Sequence, residues 1–307
     1  MSSAPHAADA TGNGVTDRQW APASAFPAAD FLGVRIHGVT MDQALGALDA
    51  MASAGNTHHI VTVNPEFIMT ARRHHQFRRV LNGSSLALPD GMGVIWASRL
   101  LGHGMPERVT GSDLVLRFAP LAARRGYRLF FLGAAPGVAE KAASVLVEKY
   151  PGLVIAGTYA GSPRPEEEQE ICAMITAASP QVLFVAYGSP QQELWIDRNR
   201  ERLGVPVSVG VGGALDFVAG VIPRAPAWMR NTGLEWLYRL AQQPRRWRRM
   251  LALPRFAWLI LLSRRHPETA TNGANTSTPG FPREVSPETP SRGAGDSGQQ
   301  FRFEKDT

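Results

Sequence analysis

The sequence contains one cysteine and no long apolar run, and each shortage excludes a class of protein. Cys172 alone cannot form an intramolecular disulfide or a multi-cysteine metal site, and this content is compatible with a reducing compartment. The helical pattern around Cys172 predicts a small, buried side chain. No run of 18 apolar residues occurs, which argues against a membrane-spanning helix. Residues 1–30 also lack a continuous apolar core, so we expect neither a signal peptide nor an anchor there.

Several signatures of catalytic chemistry are missing as well. No Asp-x-Asp motif follows a predicted strand, and the eight histidines show no spacing typical of metal ligands. No combination of serine, histidine and aspartate predicts a nucleophilic triad. Neither glycine-rich strand end, at 133–137 or 210–213, matches the Gly-x-Gly-x-x-Gly dinucleotide fingerprint. We therefore predict no metal site and no cofactor.

The length and pattern of the chain predict an α/β fold. Its 307 residues, 44% of them hydrophobic, are enough to bury one sizeable core with an appendage. Short apolar runs alternate with segments of helical periodicity, which indicates a mostly parallel, Rossmann-like sheet covered by helices. A capping box of Thr40 and Gln43 marks the start of the first helix. The predicted strands span 59–63, 86–88, 128–132, 154–158, 181–187 and 205–211.

Composition divides the chain into four segments. Residues 1–28 and 267–307 are rich in small residues and proline, which predicts a disordered N-terminal arm and a disordered tail. Residues 29–222 carry the alternation of strands and helices and are expected to form the α/β core. Residues 223–266 are cationic, aromatic and helical in pattern, so we expect them to form a separate helical appendage.

This appendage concentrates positive charge and tryptophan. Ten arginines and one acid, Glu235, give residues 223–266 a net charge of +9, so the rest of the chain carries about −3. Four of the seven tryptophans lie there too. A capping box of Thr232 and Glu235 is expected to begin a helix. Three interpretations fit the segment: a nucleic-acid patch, ordinary surface helices, or docking at a membrane interface with arginine on one face and apolar residues on the other.

Polar residues follow two of the predicted strands. Thr62 and Asn64 stand at the end of one strand and Asp90 at the end of the next, with Arg108 further along the chain. In α/β proteins ligands bind outside the carboxyl ends of the strands, so we expect these side chains to face one crevice. A carboxylate, two neutral hydrogen-bonding groups and a cation suit proton abstraction and charge stabilisation.

Structural roles compete with that chemistry at each position. Asp90 is equally suited to cap the helix that follows it. Asn64 before Pro65 is a common turn pair, and Arg108 alone would be an ordinary surface arginine. The loop that begins at Gly133 suits phosphate binding through its N–H groups, although a plain tight turn fits equally well.

Several motifs, in this order along the chain, resemble the WecG/TagA/CpsF family of bacterial glycosyltransferases. The resemblance runs from about Phe31 to about Arg265, which is most of the chain. The motifs that carry it are 61–66 (VTVNPE), 88–91 (LPDG), 106–113 (PERVTGSD), 188–195 (GSPQQELW), 210–217 (GVGGALDF), 224–226 (RAP) and 233–236 (GLEW).

The resemblance implies a role for each candidate residue. It makes Asp90 the general base, with Thr62 and Asn64 positioning substrate and Arg108 helping to stabilise the leaving diphosphate without a metal. It implies that arginines of the appendage reach the active site while the appendage docks on a membrane, and these arginines are Arg239, Arg246 and Arg249. The predicted substrate-binding residues are Tyr187, Gly188, Gln191, Gln192, Gly133, Gly213 and Asp216. Gln192 is also compatible with a position on a helix surface.

The function implied by the resemblance is inverting transfer of a sugar from a UDP-sugar to a polyprenyl-diphosphate-linked sugar. The sugar would be N-acetylmannosamine or its uronic acid, and the enzyme would lie on the inner face of a bacterial cell membrane and serve surface polysaccharide synthesis. One alternative is the same chemistry with another donor, such as UDP-glucose, in exopolysaccharide synthesis. Another is a non-catalytic nucleotide-binding protein that docks on anionic lipid or nucleic acid. We expect an anionic membrane surface and no nucleic acid as a partner, and the sequence is compatible with a homo-oligomer.

Overall fold

The computed structural model describes residues 26–226, 228–229, 232–244 and 247–265. Its first two strands, β1 (Ala28–Phe31) and β2 (Val34–His37), form an antiparallel hairpin. The other strands form one six-stranded sheet in the order β4-β3-β8-β7-β5-β6, and every neighbouring pair is parallel. They are β3 (His58–Val63), β4 (Leu86–Pro89), β5 (Arg128–Gly133), β6 (Val154–Tyr159), β7 (Val182–Ala186) and β8 (Val207–Gly210). The predicted α/β fold with a parallel sheet is confirmed.

Helices cover this sheet. The described helices are α1 (Met41–Ser53), α2 (Pro65–Ala71), α3 (His75–Asn82), α4 (Met92–Leu101), α5 (Gly111–Arg125), α6 (Val138–Lys149), α7 (Pro165–Ala178), α8 (Gln191–Leu203), α9 (Ala214–Val218), α10 (Glu235–Gln242), α11 (Trp247–Met250) and α12 (Ala252–Arg265). None of them is long and apolar enough to cross a membrane. Cys172 is buried in α7, as its helical pattern predicted.

Local sequence signals explain where several helices begin. The capping box before α1 is present, because Thr40 Oγ1 accepts a bond from the Gln43 backbone N–H while the Gln43 side chain accepts one from Thr40 N–H. The Asn64 side chain caps α2 by accepting a 3.1 Å bond from Phe67 N–H. Pro65 occupies the first turn of α2, where its missing N–H costs nothing.

The capping box predicted for Thr232 and Glu235 is wrong. Leu234 is the N-cap residue of α10, and no side chain caps that helix. Thr232 Oγ1 donates instead to the backbone oxygen of Trp228 at 2.8 Å. The Glu235 carboxylate binds Arg108, because a charge-assisted bond is stronger than one to a neutral backbone N–H.

The cationic segment is joined to the core through α12. This helix packs against α2 and α4. Phe256 and Ile260 of α12 are almost completely buried, in one cluster with Phe67, Ile68 and Val94. The four tryptophans of the segment are, in contrast, each at least 38% exposed. One side of the segment therefore belongs to the protein interior while large apolar groups face outward, which is typical of an interaction surface.

Candidate active site

The carboxyl ends of the neighbouring strands β4, β3 and β8 open into a cavity of about 820 Å³. Thr62 and Asn64 line it from the end of β3, and Asp90 lines it from the end of β4. Arg108, which precedes α5, completes the group. The structure thus brings together the four residues whose catalytic roles the sequence predicts, because adjacent parallel strands end at the same edge of the sheet.

The Asp90 side chain lines this cavity and does not cap the helix that follows it. Its backbone N–H donates to Val63 O at 2.8 Å and so extends the pairing of β4 with β3. Gly91, with φ +97°, is the N-cap residue of α4, and no side chain caps that helix. Among the described residues the Asp90 carboxylate has no hydrogen-bond partner. The capping role that the sequence allowed for Asp90 is therefore absent, and the carboxylate is free to meet a ligand.

The surroundings of Asp90 place its pKa close to neutrality. Burial raises the pKa from an ordinary value of 3.8 to about 7, although the nearby Arg108 guanidinium lowers it. The Glu235 carboxylate adds a smaller upward shift, and Arg239 a smaller downward one. A carboxyl with a pKa near the working pH is suited to take a proton from a hydroxyl during a reaction.

Arginines from two parts of the chain converge on the cavity. Arg108 Nη1 donates to Glu235 Oε2 at 2.7 Å, and both side chains are less than 20% exposed. Arg239 of α10 lines the cavity, with its guanidinium 4.6 Å from the centroid of the Phe217 ring. Arg249 of α11 also lines it and binds the carboxylate of Glu66. Two of the three predicted appendage arginines thus reach the cavity, and Arg246 lies outside the described residues.

Gln192 is a buried bridge between two loops. Its side chain is 1% exposed, so the alternative that places it on a helix surface is wrong. Gln192 Oε1 accepts bonds from Gly188 N–H at 3.0 Å and Gly212 N–H at 2.9 Å. One carbonyl oxygen on α8 therefore holds the loop after β7 and the loop after β8 in place.

A buried acid supports that bridge. Glu193, which is completely buried, accepts a 2.9 Å bond from Gln192 Nε2 and lies 2.7 Å from His59 Nε2. A Cβ at position 210 would overlap the Glu193 carboxylate, so β8 needs Gly210 there. Thr62 Oγ1 donates to the carbonyl of the same Gly210 at 3.1 Å. Sequence analysis gave His59 and Glu193 no role, since they lie 134 positions apart and no local pattern connects them.

The other predicted substrate-binding residues lie in different places. Gly188 and Gly213 line the cavity, whereas Gly133, Tyr187, Gln191 and Asp216 lie outside its lining. A Cβ at position 133 would come within 2.8 Å of the Ala186 backbone, so Gly133 permits close packing of two strand ends. Burial raises the pKa of Tyr187, whose ring packs edge-on against a neighbouring tryptophan. The Asp216 carboxylate lies beside Gly213. Binding roles for these residues remain predictions.

The sequence model of the glycosyl transferase WecG/TagA/CpsF family matches residues 29–270 of this chain. The chain therefore belongs to that family and is a glycosyltransferase, and the resemblance inferred from its motifs is confirmed.

Three similar proteins carry one name, N-acetylglucosaminyldiphosphoundecaprenol N-acetyl-beta-D-mannosaminyltransferase. The protein of Bacillus spizizenii is 37% identical over 202 residues, which are 66% of this chain and 78% of that protein. That of Bacillus subtilis is 34% identical over 229 residues, or 75% of this chain and 84% of that protein. That of Staphylococcus aureus strain MW2 is 31% identical over 238 residues, or 77% of this chain and 93% of that protein.

Proposed function

We propose that this protein moves N-acetylmannosamine, or its uronic acid, from a UDP-sugar to a polyprenyl-diphosphate-linked sugar, with inversion, in cell-surface polysaccharide synthesis. The observation that carries the proposal is the Asp90 carboxylate, which faces the cavity, has no hydrogen-bond partner in the described part of the chain and has a pKa of about 7. The printed names of the relatives support this sugar and a lipid-linked acceptor, because each names an N-acetylmannosaminyltransferase of N-acetylglucosaminyldiphosphoundecaprenol.

The proposed reaction is a single displacement. Asp90 takes the proton of an acceptor hydroxyl as the hydroxyl oxygen forms a bond to the anomeric carbon of the donor sugar. The bond between that carbon and the diphosphate oxygen breaks, and the electron pair leaves with UDP. Attack and departure on opposite faces of the carbon invert its configuration. The acceptor thus gains a sugar, and Asp90 holds the proton that the hydroxyl lost.

Cationic groups of the chain are proposed to stabilise the departing diphosphate, so we expect the reaction to need no metal. Arg108 has five N–H donors, and its bond to Glu235 uses one, so the guanidinium can bind phosphate oxygens without leaving its partner. Arg239 and Arg249 line the same cavity, where they can bind the diphosphate of the acceptor. Gly111 at the start of α5 also lines it, and a helix N-terminus attracts negative charge.

We also propose that the segment 223–266 docks the enzyme on the anionic inner face of the cell membrane. Tryptophans of the segment, among them Trp247 and Trp258, are exposed by more than half. Arginine side chains beside an anionic bilayer each contribute about 1 kcal/mol to binding. A lipid-linked acceptor stays in the bilayer, so docking would bring the cavity to the substrate.

The decisive experiment offers purified enzyme a lipid-linked N-acetylglucosamine acceptor with a panel of UDP-sugars and identifies the products by mass spectrometry and NMR. The expected product is an N-acetylmannosamine or uronic acid conjugate with inverted anomeric configuration. Preferential transfer of glucose would favour the exopolysaccharide alternative. Binding of UDP-sugars without UDP release would favour a non-catalytic nucleotide-binding protein. The same assay is run on Asp90→Asn, which removes the proposed base. Asp42→Asn, a change on the exposed side of α1, is its matched control.

A further inference from the structure

The cavity continues away from Asp90 into a part with apolar walls. One wall is a face of α4, on which Trp96, Ala97 and Leu100 line the cavity. A second wall is a face of α12, which packs against α4, with Leu253, Ala257 and Leu261. Spacings of three and four residues put each set on one side of its helix. We call the space between these six residues the apolar groove.

We propose that the apolar groove binds the first isoprene units of the acceptor's polyprenyl chain, an inference that rests on the proposed function. A polyprenyl-diphosphate acceptor joins its sugar, its diphosphate and its chain in one line. Asp90 lies just before the first turn of α4, and Leu100 is about 12 Å along that helix from its first residue, Met92. An acceptor whose sugar hydroxyl meets Asp90 can therefore extend its chain along α4 without leaving the cavity.

Two arginines line the cavity and can bind the diphosphate of such an acceptor. Arg249 of α11 lines the cavity, four residues before Leu253 of α12, and Arg239 lines it near Asp90. The cavity thus presents a carboxylate, arginines and apolar side chains together. These groups match the sugar hydroxyl, the diphosphate and the hydrocarbon chain of such an acceptor.

Other occupants fit the apolar groove less well. A nucleotide carries polar edges on its base and ribose, and the six lining side chains offer no hydrogen-bonding group apart from the indole of Trp96. A second copy of this chain seated there would close the path to the catalytic carboxylate. Trp96 and Leu261 are about half exposed, so a hydrocarbon chain laid between them would remove apolar surface from water.

The test compares diphosphates that differ only in their prenyl chain. Binding of dimethylallyl diphosphate, which is short, and farnesyl diphosphate, which is longer, is measured by calorimetry in the absence of vesicles. Wild-type protein should bind farnesyl diphosphate more tightly by about tenfold or more, which corresponds to about 1.4 kcal/mol. Ala257→Trp, which fills the apolar groove, should remove that preference while leaving the affinity for UDP within about twofold.

Two further variants control for damage to the helix. Trp258→Ala alters the neighbouring position, whose side chain is 62% exposed and does not line the cavity, so the chain-length preference should survive. Leu261→Asn places a polar group in the apolar groove at a position that is 49% exposed and should weaken the preference with little effect on folding, which circular dichroism checks. Equal binding of both diphosphates by wild-type protein, or an unchanged preference in Ala257→Trp and Leu261→Asn, would overturn the inference.

Activity measurements distinguish a failure of the prenyl-binding inference from a failure of the proposed function. The same variants are assayed with short-chain and long-chain acceptors, and a raised KM confined to the long-chain acceptor supports the inference. Sugar transfer without any dependence on prenyl length would overturn the inference and leave the proposed function intact. A clear preference for farnesyl diphosphate in a protein that transfers no sugar would sustain the prenyl site and refute the proposed function.

Discussion

Replacing Asp90 with asparagine tests the proposed chemistry most directly. The amide keeps the size of the side chain but cannot take a proton, and general-base catalysis contributes about 100-fold to 10,000-fold to a rate. We expect kcat of Asp90→Asn to fall by at least about 100-fold while UDP-sugar affinity is retained. Because the pKa of Asp90 is about 7, wild-type kcat/KM should rise with pH up to about 7 and then level off. Near-normal turnover in the purified variant would refute the assignment.

The same substitution, which should lower activity, should raise the stability of the folded protein at high pH. Burial raises the pKa of Asp90 from 3.8 to about 7, so the folded state disfavours the charged form. The stabilisation from the protonated group is complete below about pH 4 and is lost as the pH rises through about 7. This rise in pKa corresponds to at most about 4 kcal/mol, and solvent at this partly exposed side chain reduces it.

Urea unfolding at two pH values measures this effect. At pH 8 the Asp90→Asn variant should be more stable than wild type by about 1–4 kcal/mol, because it carries no buried charge. At pH 5 the difference should shrink, since the wild-type carboxyl is then protonated in the folded protein. A variant that is less stable than wild type at pH 8 would show that Asp90 stabilises the fold and that the argument from burial is wrong.

Further predictions concern the arginines, the acid beside them and the α12 contact. Glu235→Gln should move the rise of kcat/KM to lower pH, because the Glu235 carboxylate raises the pKa of Asp90; an unchanged pH profile would contradict this. Activity should survive EDTA, and its complete loss, restored by magnesium or manganese, would reveal a metal requirement. Arg239→Ala should lose turnover by about tenfold or more on a soluble acceptor. Arg264→Ala should only weaken binding to anionic vesicles, by about 1 kcal/mol, so equal effects of both on the soluble acceptor would refute the distinction. Phe256→Ala should lower the free energy of unfolding by about 3–5 kcal/mol in urea titrations, and a negligible change would mean that α12 is not part of the core.

The parts of the structure that sequence analysis predicted depend on local signals. The alternation of apolar strands with helical periodicity gave the parallel sheet, and the capping box at Thr40 marked the start of α1. Thr62, Asn64 and Asp90 were identified because each lies at or just after the end of a strand, and in a parallel sheet those ends lie together. Neighbouring residues along the chain contain enough information for features of this kind.

Features that depend on distant partners were not predictable in this way. The capping box at Thr232 failed because Glu235 meets Arg108, which lies 127 positions away in the sequence. The hairpin of β1 and β2 was missed, since each of its strands has only four residues. Nor does composition reveal that Phe256 and Ile260, within a strongly basic segment, belong to the core. Each of these contacts is fixed by tertiary packing.

The bridge made by Gln192 limits how the loops after β7 and β8 can move. Its carbonyl oxygen uses both lone pairs, one on Gly188 and one on Gly212, so movement of either loop alone breaks one of these two bonds. The loss of one such bond costs about 0.5–1.5 kcal/mol, which disfavours independent opening of one loop. The loops after β7 and β8 are therefore expected to behave as one rigid unit. The bond from Thr62 to the Gly210 carbonyl joins this unit to β3. The two loops are thus expected to move together, if they move at all, when a ligand enters the cavity.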